Sequence, residues 1–191
     1  MHVTAQKLRD LAPTSKAAIR AAIAGPLTMH LPTHGIDTPL RVAAFLAQAA
    51  HETAHFRTLA EYGSGDGPDP DQWDDYLTRL YDRRTDLGNT PALDGDGELY
   101  KGRGIFQLTG RANYETYGRR LGLDLVRQPA LAAGGDVSVR IACLYWNDRQ
   151  LNPLADAGDM RAITRAINGG LNGLADRLDY YQRACGIDWF K

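Results

Sequence analysis

An excess of charge of either sign is what this chain most lacks. Its 22 Lys and Arg face 23 Asp and Glu, for a formal net charge of −1. No global basic field is therefore available to hold nucleic acid or an anionic membrane. No apolar run approaches the ~20 residues of a membrane span, so no stable membrane insertion is expected. Met1 to Ser15 does not follow the charged, apolar, small-residue order of a secretory signal, and Arg20 interrupts the nearby alanine-rich run. The chain is expected to be made in the cytoplasm and to leave it, if at all, by another route. Cysteine is nearly absent. Cys143 and Cys185 lie on or beside apolar helical faces and read as buried thiols rather than a disulfide or metal pair. Repeats, heptads and low-complexity tracts are missing too. With 191 residues, 43 % of them hydrophobic, the chain has enough for one core, and residues 1–191 read as a single domain.

What is present is organised around Leu46 to Glu61. An apolar, alanine-rich helix runs through Val42, Phe45, Leu46, Ala49 and Ala50 and delivers Glu52. Burial raises a carboxyl pKa, and a raised pKa is what a general acid needs near neutral pH. Glu61 follows nine residues later. An unbroken helix would turn about 900° between them and put the two carboxylates on opposite faces. If they cooperate, the helix must end between them, and the run from Tyr62 to Pro68 is rich in glycine, as a helix exit is.

Around this stretch the periodicity predicts a mainly α fold. One or two helices span residues 3–24, broken at Gly25-Pro26, and residues 30–37 read as irregular. Thr38 and Pro39 start the central helix. A helix from about Gln72 to Arg83 presents Trp73, Tyr76, Leu77 and Leu80. Residues 63–71 and 85–103 are long polar loops, and loops of that length in a compact domain are usually functional. Residues 105–108 are apolar and read as extended. Further helices follow from Thr109-Gly110, from a cap at Asp136, from Asp159 to the stop at Asn168-Gly169-Gly170, and from Gly173 to Ala184. At most a small β-hairpin is expected among the loops.

Several patterns compete for the chemistry. His51-Glu52-Thr53-Ala54-His55 matches His-Glu-x-x-His, in which two histidines bind zinc and the glutamate acts as base. A zinc metalloprotease is thus an alternative, although a third ligand is needed and Thr58 stands where the metzincin continuation has glycine. Asp94 to Glu98 hints at calcium, but the twelfth position of an EF-hand loop counted from Asp94 is Ile105. Gly102-Arg103-Gly104 lacks the remaining glycines and the βαβ setting of a phosphate loop. Tyr62, Trp73 and Tyr100 are candidates to stack on sugar rings.

Taken in order, Gly35 to Gln48, His51-Glu52-Thr53, Leu87 to Thr90, Tyr100 to Tyr114, and Ile163 to Gly173 with Asp176-Arg177 resemble glycoside hydrolase family 19, the chitinase-like enzymes. The compact form is most similar to the family's phage and prophage endolysins. The resemblance implies a lysozyme-like, two-lobed helical fold with a central cleft. It also implies inverting hydrolysis of a β-1,4 bond beside an N-acetylated sugar. By position it makes Glu52 the general acid and Glu61 the general base. Thr109 would lie near the attacking water, Asn113 and Gln107 would bind substrate, and Asn168 and Arg177 would stand behind the cleft. His51 is expected to hydrogen-bond within the cleft and Tyr100 to contact substrate. No metal or cofactor is implied. The expected partner is the glycan strand of peptidoglycan, cut between N-acetylmuramic acid and N-acetylglucosamine by a monomer released to the cell wall through a holin-type or other route. A chitinase acting on N-acetylglucosamine polymers is the alternative.

Overall fold

In the computed structural model, which describes residues 1–61 and 80–191, the chain is built almost wholly from helices. In chain order these are α1 (Ala5–Leu11), α2 (Ala17–Thr33), α3 (Pro39–Glu52), α4 (Asp96–Leu99), α5 (Arg111–Leu121), α6 (Gly135–Asp148), α7 (Leu151–Asp156), α8 (Met160–Asn168) and α9 (Leu174–Cys185). Short 3-10 turns cover Thr85–Leu87 and Pro129–Ala133. Among the described residues β pairing is limited to isolated bridges, Ala60 to Arg103 and Arg103 to Leu108, within the expectation of at most a small hairpin. The helix expected at Gln72 to Arg83, with Trp73, Tyr76 and Leu77, the loop at 63–71 and Tyr62 lie outside the described residues apart from a helical end at 80–81.

Local chemistry places the central helix. Thr38 accepts a hydrogen bond from the Arg41 N–H at 3.3 Å, and Pro39 takes the first turn, where its missing N–H costs nothing. Every residue from Val42 to Ala50 is buried. Alanines make that possible, because small side chains let neighbours approach α3 from all sides. Helices α9 and α7 both pack against it. Phe45 holds the middle, its ring centroid 5.3 Å from those of both Phe106 and Trp146. Such edge contacts add about 0.5–1.5 kcal/mol to the area term.

The apolar side chains form two clusters. The larger surrounds α3 and reaches Phe106, Trp146 and Ile163. The smaller joins Tyr100, Leu108, Tyr114, Tyr117, Leu125 and Ile141. These are the two lobes, and a cleft of about 480 Å³ lies where they meet. It takes Phe106 and Ile167 from the first and Leu108, Tyr117 and Ile141 from the second.

Three local expectations are corrected. Gly25-Pro26 does not break α2, which continues through residues 30–33 to Thr33. Pro26 cannot donate to the Ala22 carbonyl, but α6 packs on that carbonyl through Gly135, where any Cβ would overlap it. Tertiary contact thus carries the helix past its proline. Asp136 sits in the first turn of α6 rather than at the cap and pairs with His30 at 2.8 Å. Of the two free cysteines, Cys143 is buried, with its thiol pushed up to about 12 by burial, whereas Cys185 is exposed.

Candidate active site

Glu52 is the last residue of α3, so the helix ends on the acid itself. The Thr53 hydroxyl donates to Ala49 O at 2.6 Å and accepts from the Phe56 N–H at 2.9 Å. Ala54, His55 and Phe56 then follow with φ of 48°, 67° and 57°. Three successive non-glycine residues in the left-handed region cost on the order of 1–2 kcal/mol each. The surroundings hold them there: Phe56 is fully buried, its carbonyl accepts from Lys16 N, and His55 N donates to Ala50 O at 2.6 Å. This turn resolves the problem of opposite faces. It swings the chain off the helix axis and delivers Ala60 to the bridge with Arg103, with Glu61 alongside.

Behind Glu52 stands a buried polar chain. The Arg177 guanidinium, on α9, meets Glu52 Oε1 through Nη2 at 2.5 Å. The Arg177 side chain is 1 % exposed and that of Glu52 20 %. Arg177 Nη1 donates to Gln48 Oε1, Gln48 Nε2 donates to Thr164 Oγ1 at 3.3 Å, and Thr164 Oγ1 donates to Met160 O at 2.7 Å. A buried guanidinium without a carboxylate would be costly. Glu52 supplies one and keeps an open side toward the cleft.

Glu61 is held differently. Its Oε1 accepts from the Tyr81 hydroxyl and its Oε2 from the Gly102 N–H, both at 3.1 Å, and its own N–H donates to Gly102 O at 2.8 Å. Gly102 also marks where the site converges. A Cβ there would lie 2.5 Å from Gln107 Oε1, 3.2 Å from Glu61 Oε2 and 3.3 Å from Thr109 Oγ1. An amide, a carboxylate and a hydroxyl therefore surround one point. Gln107 sits at φ 49° and donates to Gly104 O at 3.0 Å. Thr109 Oγ1 donates to Gln107 O at 2.9 Å, and Asn113 Nδ2 donates to Thr109 O at 2.8 Å. Gln107, Thr109, Asn113 and Asn168 line the cleft with Glu52. Such a wall, carrying one carboxylate with a second held beside it, suits acid–base hydrolysis of a polar chain.

The glycoside hydrolase 19 family model, described as chitinase class I, matches residues 16–157. The chain belongs to glycoside hydrolase family 19. It is 34 % identical over 171 residues to a glycosyl hydrolase family 19 domain-containing protein of Haemophilus influenzae, covering 78 % of this chain and 80 % of that protein. It is 30 % identical to chitinase 6 of Oryza sativa over 80 % of this chain, but spans only 55 % of that enzyme. In fold it is similar to chitinase C of Streptomyces griseus, with a TM-score of 0.71 at 19 % identity over 96 % of this chain and 92 % of that one. A class IV chitinase of Zea mays superposes with a TM-score of 0.62 at 21 % identity, over 96 % and 92 % of the two chains.

In this family 19 chain the His-Glu-x-x-His pattern does not take the zinc-binding form. That form needs both histidines on one helix, and here α3 stops before His55. Both rings turn to Asp176 of α9: His51 Nδ1 lies 2.6 Å from Oδ2 and His55 Nε2 3.3 Å from Oδ1. Burial pushes the Asp176 carboxyl up, but the His51 hydrogen bond and the charges of His55 and His51 outweigh it and hold the group below its ordinary value. His51 is thus not part of the cleft lining; it packs on Gly173, where a Cβ would overlap its ring. Tyr100 is also corrected. It is 4 % exposed, packs against Tyr114 in the second cluster and donates its hydroxyl to Val126 O at 3.3 Å.

Sequence reasoning assigned no role to Gln48, Thr164, Asp176, Tyr145 or Arg149. Gln48 had a usable signal, the one polar residue between Arg41 and His51 of α3, four positions before Glu52. The others are brought to the site from distant segments.

Proposed function

We propose that this chain hydrolyses the β-1,4 bond between N-acetylmuramic acid and N-acetylglucosamine in peptidoglycan, by direct displacement with inversion. Glu52 protonates the leaving glycosidic oxygen as the bond to the anomeric carbon breaks. A water attacks that carbon from the opposite face, and Glu61 takes its proton. Thr109 and Asn113 place the water and the N-acetyl group, while Gln107 and Asn168 line the sugar path. Arg177 keeps Glu52 in position from behind. The steps need no metal or organic cofactor. The observation that carries this reading is the pairing of roles: Glu52 opens on the cleft with a buried cation behind it, and Glu61 shares one point with a hydroxyl and an amide. In the cell the enzyme acts as a monomeric endolysin, made inside and released to the wall of a bacterium by a holin-type or other route. The breadth of the match to the bacterial relative supports a compact, bacterial-type role.

The relatives and fold neighbours named chitinases favour a second reading, hydrolysis of N-acetylglucosamine polymers with the same residues. Both are tested by release of reducing ends from Gram-negative peptidoglycan and from chitin, with and without EDTA. Wild type is expected to cut peptidoglycan in both conditions, and Glu52→Gln to fall by ~10²-fold or more. Activity on chitin alone would replace the first reading by the second. Activity abolished by EDTA would make the histidines ligands and remove the acid–base scheme.

A further inference from the structure

Among the described residues, the cleft holds one cation with no carboxylate of its own. Arg149 follows α6 as its C-terminal cap and lines the cleft. Its Nε donates to Ala166 O at 3.0 Å, and its guanidinium carbon sits 3.4 Å above the centroid of the Tyr145 ring. Tyr145 is fixed in turn, its hydroxyl donating to Ile167 O at 3.0 Å. The guanidinium plane is therefore set by a backbone carbonyl on one edge and an aromatic face beneath it. Its two terminal nitrogens make no hydrogen bond or ion pair among the described residues.

Among the described residues, the nearby carboxylates are already matched. Asp148, the residue before it, is gripped by Arg120 at 2.6 and 2.9 Å and receives the Tyr117 hydroxyl at 3.1 Å. Glu52 is matched to Arg177. The rest of the lining among the described residues is neutral: Gln107, Thr109, Asn113 and Asn168 among apolar side chains. A stacked guanidinium also covers a face of Tyr145 that a sugar ring would otherwise use. Among the described residues, the cleft thus presents an unpaired, two-pronged cation stacked on Tyr145 in place of an aromatic platform. That geometry fits a carboxylate held bidentately.

We infer that Arg149 is a specificity-determining residue that reads a carboxylate borne by the glycan strand. This rests on the peptidoglycan reading above and deepens it, since N-acetylglucosamine polymers carry no carboxylate. The carboxylate has two sources: the lactyl group of a muramoyl residue whose peptide has been removed, or the peptide stem itself.

The test compares kcat/KM for wild type, Arg149→Ala and Arg149→Lys on three substrates: glycan strands with stems, strands stripped of stems by an amidase, and a neutral N-acetylglucosamine hexamer. For Arg149→Ala the ratio of anionic to neutral kcat/KM should fall about tenfold, mainly through KM, as expected for loss of a charged hydrogen bond. Arg149→Lys should restore part of that ratio. The anionic substrate with the larger loss identifies the source. As a check independent of any variant, wild-type KM on the anionic strands should rise with NaCl more steeply than on the hexamer. An unchanged ratio, or an equal loss on all three substrates, overturns the role of Arg149 while leaving the peptidoglycan reading standing. A wild type that cuts neither anionic strand removes that reading, and this inference with it.

Discussion

Glu52 and Glu61 sit in the same site but are held by opposite means. Glu52 ends a helix in which every residue from Val42 to Ala50 is buried, and its partners are side chains drawn from two other helices, Arg177 on α9 and, through Gln48, Thr164 on α8. Glu61 lies beside an isolated bridge, and among the described residues two of its three hydrogen bonds are with the backbone of one glycine. The first arrangement depends on charge compensation in a low-dielectric interior. The second depends on how closely two backbones approach. The two halves of the site should therefore fail differently: one through stability, the other through geometry alone.

The largest effect is expected at Arg177. Arg177→Ala leaves the Glu52 carboxylate and the Gln48 amide facing a cavity, and breaking such a pair costs about 3–5 kcal/mol. For a chain of this length that is roughly 6–20 °C in melting temperature, measured by calorimetry or circular dichroism. Glu52→Gln separates the two consequences. The amide oxygen still accepts from Arg177 Nη2, so the melting temperature should drop less than for Arg177→Ala, while turnover still falls by ~10²-fold or more for want of a proton donor. A variant Arg177→Ala that melts like wild type would mean that the buried chain from Thr164 to Glu52 contributes nothing to the fold.

A smaller effect, and the opposite split, is expected on the other carboxylate. Gly102 is not in the left-handed region, so alanine there brings no backbone strain. Its methyl group would meet Gln107 Oε1 at 2.5 Å and Glu61 Oε2 at 3.2 Å, and the ends of flexible side chains can yield. Gly102→Ala should keep its melting temperature to within the equivalent of about 1 kcal/mol yet lose about tenfold in kcat through the displaced base. Adding Gln107→Ala removes the nearest collision, so the double variant should lose less than the two single changes together. A Gly102→Ala variant with full turnover would show that Glu61 need not stand where it does.

How much of this was legible in the chain depends on how far the causes lie along it. The starts at Thr38-Pro39 and Asp159 and the stop at Gly169 are local chemistry and are found where the residues indicate. The continuation of α2 through Pro26 is not local, because the backbone packed on its orphaned carbonyl comes from Gly135. The left-handed run from Ala54 to Phe56 carries no glycine to announce it, and its anchors include Lys16. Glu52 is legible because an acid on an alanine-rich face is conspicuous. Glu61 is legible only with the family resemblance beside it. Tyr100 misleads because a polar loop hides that its ring enters the second core. His51 misleads because its partner, Asp176, lies 125 residues away.

The smallest effect sharpens the contrast on the side of Glu52. Asp176 precedes Arg177 and is shared by His51, which precedes Glu52, and by His55. Its carboxyl titrates below its ordinary value of 3.8 in the folded chain. A depressed carboxyl contributes stability that is fully present above the unfolded value and is lost as pH falls through the folded one. His55→Asn tests this with little backbone strain, since asparagine tolerates the φ of 67° at that position. The side chains are 38 % and 35 % exposed, so solvent screening limits the change to less than about 1 kcal/mol. Wild type should exceed His55→Asn in stability at about pH 5, where the Asp176 carboxyl is ionised. The gap should narrow at about pH 2.5, below the ordinary carboxyl value of 3.8, as Asp176 takes up its proton. Urea titrations at the two pH values measure it. A gap of the same size in acid would place the contribution of His55 in its contact with the Tyr180 ring, at 4.9 Å between centroids, and not in the carboxylate.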